Sequence, residues 1–239
     1  MLFFSKMICI VGAVVLLFSI TADARIGNST EPTSYCTETE ECLLFDLICN
    51  GTEYEVRHYE AAKWVTTEEK SMFKDVAIMK AFKKLFNYIT GENEAGVKIP
   101  MTAPVLIKVK EEMPFLEPAV YGLSFLLPSA YQDNAPKPTD STVHLEEMTD
   151  MKVYVISYGG WMVGPVSTIY ADLLKKALDN VKATYNTDYH YDAGYNSPMK
   201  LLNRHNEVWY VVSGAPVCPH VEHPSPSSPA HLSLQKPED

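Results

Sequence analysis

The order strand, strand, helix, strand, strand is written twice in this chain, and that repeat constrains its fold more than any other feature. Tyr54, Val56 and His58 alternate with Glu55, Arg57 and Tyr59, the period-two pattern of a half-buried strand, and Lys63 to Thr67 follows as a second short strand. A helix is predicted next, with Ser71 as its N-cap and Gly91 as its stop. Ile78, Phe82, Leu85 and Ile89 form its apolar stripe, and Met72, Val76, Met79 and Phe86 widen it. Leu106 to Val109 and Tyr121 to Leu127 read as further strands, and residues 129–141 as a loop. The second half repeats this order. Residues 142–148 and 152–158 are strands, and residues 167–185 are a helix with Tyr170, Leu173, Leu174, Ala177, Leu178 and Val181 on one face. Glu207 to Val212 closes the set. A repeat of this length is too long for a solenoid unit and points to one pseudo-two-fold domain. Each half has a sheet face to cover, so the expected fold is α+β: a distorted, barrel-like antiparallel sheet with two helices packed outside it.

Each half also carries a proline-marked run. Lys98-Ile99-Pro100-Met101-Thr102-Ala103-Pro104-Val105 has a partner in Tyr195-Asn196-Ser197-Pro198-Met199, 94 residues later from Pro104 to Pro198. A central strand excludes proline, so both runs are read as leading into a strand at a bulge or an edge. Their expected job is to hold the turn of each half against its helix.

The ends of the chain speak to compartment. Lys6, the apolar run Ile8 to Ile20 and Ala22-Asp23-Ala24 form a secretory signal pattern over residues 1–24, too short for the ~20 residues of a spanning helix. Cys9 leaves with it, and four cysteines remain: Cys36, Cys42, Cys49 and Cys218. Four allow three disulfide connectivities. Cys49 before the first strand and Cys218 after the last favour Cys49–Cys218 with Cys36–Cys42, provided those strands are antiparallel neighbours. Asn28 and Asn50 head glycosylation sequons in a Cys-bearing extension, residues 25–50. The main domain is expected over residues 51–218, and a Pro/Ser/His-rich tail over 219–239 is too poor in apolar residues to order itself. The formal net charge of -10, without clustered Lys and Arg, argues against nucleic acid and against stable association with anionic membranes.

No Gly-rich phosphate loop, His-Glu-x-x-His or Gly-x-Ser-x-Gly is present. Glu146 and Glu147 are adjacent on a strand and point to opposite faces, so they make a poor acid/base pair. The reading is therefore not an enzyme. His58 is the most informative side chain, because imidazole is a usual proximal ligand of haem iron. A strand-end histidine that is simply hydrogen-bonded or solvated is the competing reading. Met72 and Met79 read as helix core, although soft thioethers also suit a flat apolar ligand.

Tyr54-Glu55-Val56-Arg57-His58-Tyr59, Ala62-Lys63-Trp64-Val65, the Lys98–Val105 run and the segment Ala193 to Arg204 with Glu207-Val208-Trp209 resemble the SOUL family of haem-binding proteins. The resemblance spans roughly residues 52–213 and is nearer the SOUL branch than its sister branch, on the segment around His58. It implies a distorted antiparallel barrel with two flanking helices and binding of haem or related porphyrins, with haem as a ligand. It also implies His58 as axial ligand to haem iron, the only metal role expected for it. Met79 and Phe82 are pocket candidates on the first helix, and Arg57 and Lys63 are candidate partners for a propionate. A further family feature is a helical segment that engages Bcl-2-type proteins. Leu173 to Asp179 matches its spacing, but those leucines are needed to pack the helix and the chain reads as secreted, so that partner is not expected. The expected function is a secreted haem carrier, buffer or scavenger. The alternative is an extracellular interaction module that keeps the fold without haem. Oligomeric state is left open.

Overall fold

The computed structural model describes residues 26–27, 34–112 and 116–219. The expected signal segment, Asn28 and all but the first residue of the tail lie outside them. Nine strands and two helices follow one another: β1 (Asp46–Asn50), β2 (Glu55–Tyr59), β3 (Ala62–Ser71), α1 (Lys74–Thr90), β4 (Val105–Lys110), β5 (Ala119–Leu126), β6 (Val143–Met148), β7 (Met151–Tyr158), α2 (Gly164–Asn180), β8 (Tyr189–Gly194) and β9 (Asn206–Val211). All pairings are antiparallel, in the order β1-β2-β7-β9-β8-β4-β5-β3-β6. Tyr59 lies opposite Met151 and Ala62 opposite Met148, so β2–β3 and β6–β7 keep one register across a shared bend. That bent ribbon curls the sheet into a distorted half-barrel. With β1 set aside, strand, strand, helix, strand, strand occurs twice, as the sequence pattern requires.

The pleat sorts side chains inward and outward. Tyr59, Trp64, Leu106, Val155 and Trp209 point in, where the rings of Tyr59 and Trp209 stack with centroids 4.6 Å apart. The alternate residues point out. Leu123 and Phe125 meet Leu85 and Tyr88 of α1, while Val208 and Tyr210 meet Leu174 and Leu178 of α2. α1 covers β3 and β5, and α2 covers β7 and β9.

In both helices much of the expected apolar stripe does face the sheet, but the contact face is shifted toward small residues. Ser71 ends β3 and is not the N-cap; Phe73 holds that position, and its N–H donates to the Ser71 hydroxyl at 3.1 Å. Gly91 does end α1, with φ of 128°. The face on the sheet is Ala77, Ala81, Leu85, Tyr88 and Ile89. Ile78 and Phe82 flank it, whereas Met72, Val76, Met79 and Phe86 are exposed, Met79 by 71%. Alanines let the helix backbone approach the sheet, so the small residues mark the contact and the large ones line its edges. α2 starts earlier and ends earlier than expected. Gly164-Pro165, read as punctuation, is its first turn, where proline lacks only an N–H that is orphaned anyway. Its buried face includes Ser167 and Ala171, and Leu173 is half exposed.

The N-terminal segment belongs to the sheet and the core. β1 pairs with β2, and Leu43, Leu44 and Phe45 are buried, so the core begins well before Glu53. Cys36 is bonded to Cys42 and Cys49 to Cys218, the preferred pairing. The reason differs from the one expected. Cys49 lies within β1, and β7 separates β2 from β9. After β9 the chain doubles back across the sheet: Tyr54 donates to the Val217 carbonyl and the Val217 N–H donates to the Tyr154 hydroxyl, both at 3.0 Å.

Leu85→Ala is expected to lower unfolding free energy by about 2–5 kcal/mol, whereas Met79→Ala should stay within ~0.5 kcal/mol. Urea denaturation of the two variants measures the difference. Equal losses would mean that the helix register is wrong.

Candidate functional site

The two proline runs are neighbours rather than equivalents. Lys98 to Pro104 lies outside any strand and leads into β4, as expected. Tyr195 to Met199 instead follows β8, so it is a strand exit. β4 and β8 are antiparallel with Val105 opposite Gly194, which brings the start of one strand beside the end of the other. Both runs therefore converge at one end of the barrel, next to α1.

Between them lies a cavity of about 480 Å³. Phe82 and Phe86 of α1 form one wall, with ring centroids 5.9 Å apart and planes within 15°. Phe82 is braced edge-on by Phe125 of β5 at 5.1 Å. Met101 and Val105 come from the first run and its strand, Pro198 and Met199 from the second. Gly194 forms part of the floor, where any Cβ would come within 2.9 Å of the Met162 methyl. Glu38 and Thr39 of the N-terminal segment complete the rim. The Glu38 carboxylate accepts the Ser197 N–H at 2.7 Å and pairs with Lys200 at 3.2 Å. The Ser197 hydrogen bond, and after it Lys200, holds this carboxyl below its ordinary range.

The second run is positioned from inside the barrel. Arg57 of β2 is 2% exposed and Glu207 of β9 is fully buried; their side chains meet at 2.9 Å. Arg57 also binds Glu55 at 2.7 Å and lies over the Phe45 ring at 4.1 Å. Glu207 accepts from the Tyr195 hydroxyl at 3.0 Å and the Trp209 indole at 2.7 Å, and it contacts His205 Nε2 at 2.7 Å. Burial alone pushes the Glu207 carboxyl up, but Arg57, His205 and Trp209 together hold it down. Burial and the Glu207 charge push the Tyr195 phenol up, so it remains a donor. His205 in turn stacks on Tyr35 at 3.8 Å, which ties the N-terminal segment to the same network.

The residues singled out in the sequence fall in different places. Phe82 lines the cavity. Met79 does not; it faces outward from α1. His58 is on the outer face of β2, opposite Lys152 at the start of β7, level with the end of β9. The cavity borders the start of β9, five residues or about 17 Å away along the strand. His58 Nε2 lies 2.5 Å from Asp150, and Nδ1 lies 3.7 Å from Asp46. His58 and Phe82 are thus not brought together. Arg57 is enclosed and already paired, and Lys63 reaches the Asp133 carbonyl on another part of the surface. Asn50 is exposed at the end of β1. Leu174 and Leu178 of α2 are buried against the sheet. Among the described residues, no group of three His, Cys, Asp or Glu side chains is placed to hold a metal ion.

One contact has the look of an activated nucleophile. Lys74 Nζ donates to the Ser167 hydroxyl at 2.8 Å, but the same ammonium pairs with the buried Asp192 carboxylate. Ser167 is itself fully buried. The trio ties the start of α1 to α2 and β8.

The SOUL heme-binding protein family model matches residues 40–211. Heme-binding protein 2 of Homo sapiens is 41% identical over 164 residues, 68% of this chain and 80% of that protein. Its Mus musculus counterpart is 39% identical over the same lengths, and heme-binding protein 1 of Xenopus tropicalis is 34% identical over 68% of this chain and 85% of that one. Among solved structures, the EcmrR C-terminal domain has a TM-score of 0.48 at 9% identity, over 69% of this chain and 100% of that chain.

Removing one member of the buried pair leaves an uncompensated charge, so Arg57→Met should cost about 3–5 kcal/mol, and Arg57→Met with Glu207→Met should recover most of it. Stability should also fall with acid. Burial pushes the Glu111 carboxyl up, but hydrogen bonds from His190 and Tyr210 outweigh it and bring it from 4.5 to about 2. A carboxyl depressed in the folded state stabilises above its unfolded value and loses that contribution as pH falls through the folded value. Urea midpoints should therefore decline from about pH 5 toward pH 2, less steeply in Glu111→Gln.

Proposed function

The chain belongs to the SOUL heme-binding protein family, and from that membership we propose that it is a secreted, non-catalytic binder of haem or a related tetrapyrrole, serving as carrier, buffer or scavenger. One observation carries the reading: the cavity beside α1 is apolar, aromatic and of a size typical of small-molecule sites. The near-parallel rings of Phe82 and Phe86 offer a flat surface to a macrocycle, and Met101, Val105 and Pro198 complete a slot of matching chemistry. The exposed polar residues of the lining, Glu38 and Ser197, lie on its open side, where a ligand's carboxylates would stay in water and clear of the Glu38 charge. No imidazole is among the cavity's lining residues. In this reading the protein holds the ring by its faces, and metal-free porphyrin binds as haem does.

Secretion is supported by the signal pattern at the N-terminus and by four cysteines paired as two disulfides. The exposed Asn50 sequon fits a glycosylated surface, with Asn28 as a second acceptor.

His58 supports a second reading, as an axial ligand at a separate surface position. Asp150 fixes its Nε2, while Nδ1 has only Asp46 at 3.7 Å. A carboxylate behind one ring nitrogen orients the other toward a metal.

Titration of the mature, oxidised protein with haem and with metal-free protoporphyrin separates these readings. Phe82→Ala should weaken both about tenfold, the loss of one aromatic contact. His58→Ala should leave the metal-free titration unchanged; a haem Soret shift lost only in this variant would favour the axial role. Absence of any spectral change at micromolar protein would overturn tetrapyrrole binding and leave the interaction-module reading.

A further inference from the structure

One wall of the cavity comes from the N-terminal segment. Residues 36–42 form a short loop closed by the Cys36–Cys42 disulfide, and Glu38 and Thr39 within it line the cavity. The loop is pinned on both sides. Before it, Tyr35 stacks on His205 and meets Tyr195 edge-on at 4.8 Å. At its end, Glu41 accepts from the Ser129 N–H at 2.7 Å, and its carbonyl accepts the Ala103 N–H at 3.3 Å. Leu43 then donates to the Ala103 carbonyl at 2.9 Å. Between these anchors Glu38 holds Ser197 of the second proline run and Lys200 just beyond it, and Thr39 lines the cavity beside them. The pair of Glu38 and Lys200 is solvent-accessible, and such a pair contributes little by itself. The disulfide closes the loop that bears Glu38 covalently and so limits the conformations open to it.

We propose that the Cys36–Cys42 disulfide is a thiol-operated clasp on the apolar cavity: closed, it holds Glu38 and Thr39 against the second proline run, and opened, it releases that wall and the ligand behind it. The proposal rests on the cavity being the binding site. The chemistry is thiol–disulfide exchange with an external thiol. Its thiolate attacks the half-buried Cys36 sulfur, the S–S bond breaks, and Cys42 departs as a thiolate that then takes up a proton. Thr39 Oγ1 lies 3.7 Å from Cys42 Sγ, within reach to donate to that departing thiolate. A second external thiolate attacks the external sulfur of the mixed disulfide and frees Cys36. Two protein thiols form as two external thiols become one disulfide. A ligand would thus be retained where thiols are scarce and released where they are abundant.

The second disulfide provides an internal control. Cys49–Cys218 joins β1 to the segment after β9, and neither cysteine lines the cavity. Two quantities are measured on the full mature chain: amide exchange at Ser197 without ligand, and haem affinity by titration. Cys36→Ser with Cys42→Ser should speed Ser197 exchange and weaken haem binding, each by about tenfold, as expected for a local opening that leaves the fold intact. Glu38→Ala, with both disulfides intact, should also speed Ser197 exchange, because it removes the acceptor of that N–H, and so tests the Glu38 contact; if the cysteine variant does not fold, the parent chain with Cys36–Cys42 selectively reduced and Cys49–Cys218 intact decides the role of the disulfide. Cys49→Ser with Cys218→Ser should leave both quantities within about twofold of the parent. Unchanged Ser197 exchange in the folded Cys36/Cys42 variant, or in Glu38→Ala, overturns the clasp even if haem binds. Faster exchange in a protein that binds no haem upholds the clasp and overturns only the tetrapyrrole reading.

Discussion

The ion pair between Arg57 and Glu207 is the interaction on which the rest of the structure depends. It lies inside the barrel and joins β2 to β9 across β7. Two charges buried together are tolerated only if hydrogen bonds supply what water no longer does. Here they do. The guanidinium has Glu55, the Tyr59 hydroxyl and the Phe45 ring, while the carboxylate has Tyr195, Trp209 and His205. The partners come from both halves of the repeat and from the N-terminal segment. Tyr195 opens the second proline run, so the pair that organises the core also fixes one wall of the cavity. Tyr35, stacked on His205, extends the same control to the loop that forms another.

Alternation and helical periodicity were enough to reach the architecture, because they follow directly from which side chains leave water. Both helices, the strand pairs and the doubled order were legible on that basis. The exact faces were not. In α1 the stripe drawn through Ile78, Phe82 and Leu85 is turned toward Ala77 and Ala81, since a helix lies closest where its side chains are smallest. Bulky residues mark hydrophobicity, but alanine marks proximity. The disulfide pairing came out as preferred although its premise failed, because the C-terminal segment crosses back over Tyr54 and Tyr154 to reach β1.

The residues of the candidate cavity were half legible. Phe82 was read as a pocket residue, and the proline runs stood out as misplaced in strands. Their meeting could not be seen, because it depends on β4 and β8 being antiparallel neighbours with Val105 opposite Gly194. Aligning the runs as repeats concealed it: one leads into its strand and the other leaves its strand. Glu38 gave no signal at all. It carries no motif, and its importance comes from a loop closed by a disulfide and a hydrogen bond to a residue far along the chain. His58 drew attention through residue type, yet its surroundings are two carboxylates at the opposite end of β9 from the cavity.

A fold with two similar halves offers two comparable positions for a ligand, and the chemistry of the two clefts shows why one is favoured for an apolar guest. Beside α1, the residues left over from sheet packing are Phe82 and Phe86, and both proline runs arrive there with apolar side chains. The cleft bordered by α2 is instead lined by Lys108, Lys110, Glu111 and Lys175. Glu111 there is engaged by His190, Tyr210 and Lys175. Charged groups that already satisfy one another are costly to cover with a flat hydrocarbon surface, whereas the α1 slot gives up mainly apolar contact with water. The asymmetry lies in composition and not in topology. β4 and β8 meet start to end at both ends of their pairing, Val105 beside Gly194 and Lys110 beside Tyr189, but only at the first do a helix's aromatic side chains and apolar loop residues line the cleft.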